Sequence, residues 1–104
     1  MLPCFILDAA QITRVSQNVL ADKDADAKLE CVVNANPLDA SHITWSRDGY
    51  NMSRTQTEFD ATGSRSVLII PSVVKEDSGL FVCVADNGIG ESHETSAQLI
   101  VKCD

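Results

Sequence analysis

At 104 residues the chain has room for one domain with a modest core. It carries 8 basic against 15 acidic residues, a net charge of −7, which argues against the basic patch that nucleic acid requires and against a cationic lipid-headgroup site. No stretch approaches the roughly 20 apolar residues of a membrane-spanning helix, so direct membrane contact is not expected either.

Residues 1–10 read as an N-terminal extension or linker and residues 11–104 as a single domain. The start, Met1-Leu2-Pro3-Cys4-Phe5-Ile6-Leu7, is apolar and short. It lacks a basic flank and carries a proline, which does not fit a signal peptide. Residues 11–16 alternate and predict a first strand. Asp22 to Asp26 is a polar turn. From Lys28 to Ala35 the chain alternates again, placing Leu29, Cys31, Val33 and Ala35 on one face. Asn36 to Asp39 is a loop, and His42 to Arg47 forms a strand with Ile43 and Trp45 inward. Arg47-Asp48-Gly49-Tyr50 is a turn.

Residues 51–64 are polar and predict one or two short edge strands. Ser66 to Ile70 resumes a strand with Leu68 and Ile70 inward, and Pro71 ends it, having no N–H for the ladder. Leu80 to Ala85 buries Phe81, Cys83 and Ala85. Asp86 to Gly90 is a hairpin turn. Glu91 to Lys102 is the last strand, with Ala97, Leu99 and Val101 inward. Many short strands and no amphipathic helix predict an all-β, two-sheet sandwich.

Chemistry-bearing motifs are sparse. Asp22-x-Asp24-x-Asp26 opens like a calcium loop, but Ala27 and Val33 stand where that loop needs Gly and Glu. His42 and His93 lie in no zinc-binding spacing and read as exposed strand histidines. No serine sits in a nucleophile elbow, and no glycine-rich loop cradles a phosphate. No catalytic residue, metal or cofactor is expected, and no enzymatic activity. Asp77 reads as a structural acid that accepts local N–H bonds and a salt bridge from Arg54 or Arg65. Asn51-Met52-Ser53 is an acceptor sequon, which marks Asn51 as a glycosylation site in a secreted protein. Four cysteines in a small chain agree with an oxidising compartment.

Several motifs occur in order. Leu29-x-Cys31 precedes Trp45; Leu68-x-Ile70-x-x-Val73 precedes Glu76-Asp77-Ser78-Gly79; Phe81-x-Cys83 precedes Ala85-x-Asn87-x-x-Gly90; Ala97-x-Leu99-x-Val101 closes the set. Over about residues 11–102 the chain thereby resembles immunoglobulin domains of the intermediate, or I-set, type. Asn34-Ala35-Asn36-Pro37 and Ala85 to Gly90 are similar to tandem domains of cell-surface adhesion receptors of the nephrin and echinoid kind.

The resemblance implies an immunoglobulin-like antiparallel sandwich with Greek-key connections and a Cys31–Cys83 disulfide packed against Trp45. Closing a loop of about 50 residues stabilises by roughly 4 kcal/mol in the chain-entropy account. It also implies a core of Trp45, Phe81, Leu29, Leu68, Ile70 and Leu99. One position departs from the family. Phe81 stands where a tyrosine usually donates the corner hydrogen bond, and its ring cannot make that bond.

Cys4 and Cys103 fall at opposite ends of such a sandwich, which disfavours a bond between them within the domain. Bridges to neighbouring domains, bridges between chains and free thiols stay open.

If Phe81, Cys83 and Ala85 point inward, then Leu80, Val82 and Val84 point outward, with Ile100 on the neighbouring strand. These four are the candidate interface. Val32, Val67 and Ile69 make a weaker case on the other sheet. The function expected is protein recognition by an extracellular domain of a cell-adhesion receptor, homophilic or heterophilic, with homodimerisation as one mode. The alternatives are a spacer in a tandem array and an intracellular titin-like sarcomeric domain.

Overall fold

The computed structural model describes residues 8–36 and 38–102. Cys4 and Cys103 lie outside the described residues. Among the described residues, eight strands form two sheets: β1 (Asp8–Val15), β2 (Val19–Asp22), β3 (Ala27–Asn36), β4 (Ile43–Ser46), β5 (Gln56–Asp60), β6 (Arg65–Ile70), β7 (Gly79–Ala85) and β8 (His93–Lys102). One sheet runs β1-β3-β6-β5 and the other β2-β8-β7-β4. The pairings are antiparallel except β2 with β8, which is parallel.

That parallel pair modifies the expected topology. The first strand starts at Asp8, ahead of residue 11, and the chain then changes sheets. Ser16 makes the change. Its N–H donates to the Glu30 carbonyl at 2.9 Å and its hydroxyl accepts the Glu30 N–H at 2.8 Å, which closes the β1 ladder. The polar residues Gln17 and Asn18 are exposed, and Val19 to Asp22 then joins β8.

Other boundaries shift for local reasons. Ala40–His42 is a 3-10 turn, so β4 begins at Ile43 and not at His42. Asp39 caps the turn by accepting the Ser41 N–H, while His42 Nδ1 accepts the Asp39 N–H at 3.0 Å. His42 is therefore half-buried and part of a cap, a correction to its reading as an exposed strand residue. The last strand begins at His93, after Glu91 and Ser92 have completed the connection from β7. In the 51–64 region there is a 3-10 turn, Met52–Arg54, and a single edge strand, β5.

Alternation builds the core. Leu29, Cys31 and Val33 from β3 face Phe81, Cys83 and Ala85 from β7, with Leu68, Ile70, Val73, Ala97 and Leu99 around them, all buried. Each large aliphatic or aromatic side chain so buried contributes about 1.5–3 kcal/mol. Cys31 and Cys83 are bonded across the two sheets, with Cα atoms 6.6 Å apart. Trp45 lies opposite Cys83 in the β4–β7 register, and its buried indole N–H donates to the Ser66 hydroxyl at 3.0 Å.

Candidate functional site

The outward faces of the two sheets differ in chemistry. On β1-β3-β6-β5 an ion-pair row crosses all four strands: Arg14 to Glu30 at 3.6 Å, Glu30 to Arg65 at 3.5 Å and Arg65 to Asp60 at 3.3 Å. Val32 lies opposite Arg65, and Val67 lies between Glu30 and Glu58. These half-buried valines sit among long charged side chains, whose stems cover apolar surface. They do not form an open apolar patch.

The outward face of β2-β8-β7-β4 is apolar at one end. Leu80 on β7 is 55% exposed and Ile100 on β8 is 36% exposed. Leu20 on β2 is 58% exposed and lies directly opposite Ile100. Leu80 lies opposite Gln98, two residues from Ile100, so the three form one patch over three adjacent strands. Val82 and Val84 also face outward but are half-buried. Val82 borders a shallow depression of about 330 Å³ with Leu80, Glu94, Thr95 and Ser96. Val84 lies opposite Glu94 and Thr44, where the face becomes polar. The patch therefore centres on Leu20, Ile100 and Leu80 rather than on Val82. Sequence reading missed Leu20 because residues 17–21 were assigned to no strand; the short run Val19-Leu20-Ala21 was the available signal.

Behind the patch, a polar cluster fixes the start of β7. Asp77 is 1% exposed. Its carboxylate accepts the Val74 N–H, the Tyr50 hydroxyl and the Arg54 guanidinium, each at 2.8 Å. Arg54 is thus its ion-pair partner, and Arg65 is not. Burial alone would raise the Asp77 pKa, but these three bonds and the Arg54 charge outweigh it and hold the carboxyl below its ordinary value. Burial, followed by the bond to Asp77, pushes the Tyr50 hydroxyl up.

Arg47 completes the cluster. Its guanidinium donates to the Asp77 and Ser78 carbonyls, each at 2.8 Å, and lies over the Tyr50 and Phe81 rings at 5.2 and 5.1 Å. Gly79 makes room for it. A Cβ there would stand 2.6 Å from Arg47 Nη2, and the backbone φ of +145° suits glycine.

Among the described residues, no group of three or more His, Cys, Asp or Glu side chains is arranged to hold a metal ion. Asp22, Asp24 and Asp26 are exposed, and Asp26 accepts the Ser72 N–H. His93 Nδ1 accepts the Ile12 N–H at 2.6 Å and so ties β8 to β1 across the sheets. Asn51 is exposed at the start of its 3-10 turn.

A family model described as the immunoglobulin I-set domain matches residues 10–101. Lachesin of Drosophila melanogaster is 32% identical over 87 residues, 84% of this chain and 23% of that protein. Netrin receptor DCC of Homo sapiens is 34% identical over 84 residues, 81% of this chain and 6% of that protein. The chain thus spans a small part of these curated relatives. A solved chimeric titin Z1Z2 carrying an exogenous decorin peptide superposes with a TM-score of 0.80 at 27% identity, covering 96% of this chain and 100% of that one. Tandem Ig repeats of Dlar superpose at 0.76 with 27% identity, covering 90% and 48%. With the sandwich, the cross-sheet disulfide, the opposed tryptophan and a family match over nearly its whole length, this chain belongs to the immunoglobulin I-set domain family.

Proposed function

We propose that the chain is an extracellular protein-recognition domain of a cell-adhesion receptor, and that it binds a protein partner through the outward face of β2-β8-β7-β4. The observation that carries this reading is the exposed patch of Leu20, Leu80 and Ile100 on three adjacent strands. Apolar side chains clustered in the open favour a partner that removes them from water. The mechanism is surface complementarity without turnover. The similarity to a netrin receptor supports the receptor setting, and the Cys31–Cys83 bond fits an extracellular one.

Leu80→Lys places a charge in the patch without entering the core. Self-association, followed by sedimentation, and binding to partner-bearing cells should fall more than tenfold, about 1.4 kcal/mol. Gln56→Lys on the opposite sheet should bind like wild type. Equal binding by both variants would leave the spacer reading. The titin structures motivate an intracellular reading with reduced cysteines. An intact mass taken without reductant separates the two compartments, because the disulfide lowers it by two hydrogens, ~2 Da.

A further inference from the structure

The Asn51-Met52-Ser53 turn takes no part in the apolar face, yet the fold holds it in a defined posture. Met52 turns inward and packs against the core, while Asn51 and Ser53 face solvent. Asn51 Oδ1 accepts the Ser53 N–H at 3.1 Å and the Ser53 hydroxyl at 2.5 Å. The carboxamide oxygen is doubly engaged, and Asn51 itself is exposed. The turn is pinned on both sides: Tyr50 and Arg54 each donate to the buried Asp77, and the Thr55 hydroxyl donates to the Met52 carbonyl at 2.6 Å. Space is open at nearby Gly49, where an added Cβ would meet nothing within 4 Å.

The place in the topology gives this turn a second meaning. Residues 47–55 connect β4 to β5, and among the described residues each of these is an edge strand of its sheet. Free edges are templates for pairing with another chain. The opposite edge strand, β2, lies three strand spacings from β4, roughly 14 Å.

We propose that Asn51 carries an N-linked glycan, and that this glycan screens the free edges of β4 and β5 while leaving the Leu20 and Ile100 side open. The proposal rests on the extracellular reading. In the modification, Asn51 Nδ2 forms a bond to the anomeric carbon of a lipid-pyrophosphate-linked oligosaccharide supplied by a secretory host. The bond from that carbon to the pyrophosphate oxygen breaks, the lipid pyrophosphate leaves, and Nδ2 gives up one proton.

The test expresses the full chain in a secretory eukaryotic host. The wild-type mass should exceed the polypeptide mass and fall on treatment with peptide N-glycosidase. Asn51→Gln and Ser53→Ala should be secreted at the bare mass; Ser53→Ala retains the Asn51 oxygen and the N–H of residue 53. Sedimentation after mild heating should show both variants, and enzymatically deglycosylated wild type, associating at several-fold lower concentration than the glycosylated protein. A secreted, disulfide-bonded wild type of bare mass would overturn the modification. Equal association of glycosylated and bare forms would overturn the screening. A bare Asn51 together with loss of binding in Leu80→Lys would sink this proposal while leaving the recognition reading intact.

Discussion

Tyr50 stands edge-on to Phe81, with ring centroids 5.2 Å apart and planes at 88°, and sends its hydroxyl to Asp77. Phe81 stands where the family usually has a tyrosine, and the Tyr50 ring packs against it. The family's corner hydroxyl normally comes from that position and reaches backbone a few residues upstream. Here the upstream carbonyls of Asp77 and Ser78 accept Arg47, and the phenol comes from Tyr50, just beyond the end of β4.

The first prediction concerns this exchange of partners. Phe81→Tyr should cost about 1–3 kcal/mol, because Phe81 is fully buried and the corner carbonyls that would take a new hydroxyl already accept Arg47. Arg47→Ala should cost about 2 kcal/mol by removing charge-assisted bonds. Urea midpoints at unchanged slope measure both. A gain of about 1 kcal/mol in Phe81→Tyr with no loss in Arg47→Ala would reverse the assignment.

Gly79 provides a second test of the same corner. Gly79→Ala puts a methyl against the Arg47 guanidinium and forces an L-residue into φ near +145°. The expected loss is about 2–3 kcal/mol, from backbone strain and the displaced arginine. In an Arg47→Ala background the methyl no longer meets the guanidinium, so the further loss should shrink; a double-mutant cycle measures the coupling. Simple additivity would show that Arg47 and Gly79 do not interact as described.

Asp77 predicts an acid limb in the stability profile. Its folded pKa lies below the unfolded value of 3.8, so the unfolded chain binds the proton more readily. Its contribution is therefore present above pH 3.8 and is lost as pH falls through the folded value. Tyr50 acts at the other limit. Its folded pKa lies above 10.0, so its contribution is present below that pH and is lost on further alkaline titration. Asp77→Asn should lower the neutral-pH plateau and flatten the acid limb in denaturant titrations across pH. An unaltered acid limb in that variant would assign the limb to other carboxylates.

Trp45 reports on the centre of the sandwich. Ser66→Ala removes the acceptor of a buried indole N–H and should cost about 1–3 kcal/mol. Reduction of Cys31–Cys83 should raise Trp45 fluorescence, since the indole lies opposite Cys83 and loses a neighbouring disulfide quencher. Emission that does not change on complete reduction would place the indole away from the sulfurs.

The faces of β3, β6, β7 and the end of β8 were legible in the sequence because strand alternation has a period of two, and the residue order alone assigns inside and outside. Leu29, Leu68, Ile70, Phe81 and Leu99 are buried by that local rule. The motif order around Cys31, Trp45 and Cys83 likewise pointed to the two-sheet sandwich. What decided the rest was contact between segments distant in the chain. Val19 to Asp22 is too short to declare itself a strand, and only its docking on β8 makes it one and sets Leu20 beside Ile100. Arg47 looked like a turn residue, yet it bonds to residues 77 and 78 because the closed sandwich brings the end of β4 to the start of β7. Asp77 had two candidate arginines, Arg54 and Arg65. Strand register resolved them by placing Arg65 opposite Val32 and Asp60, within reach of Glu30 and on the far sheet. Local periodicity determines which side of a strand is wet, whereas the choice of ion-pair and hydrogen-bond partners depends on three-dimensional proximity that no local pattern encodes.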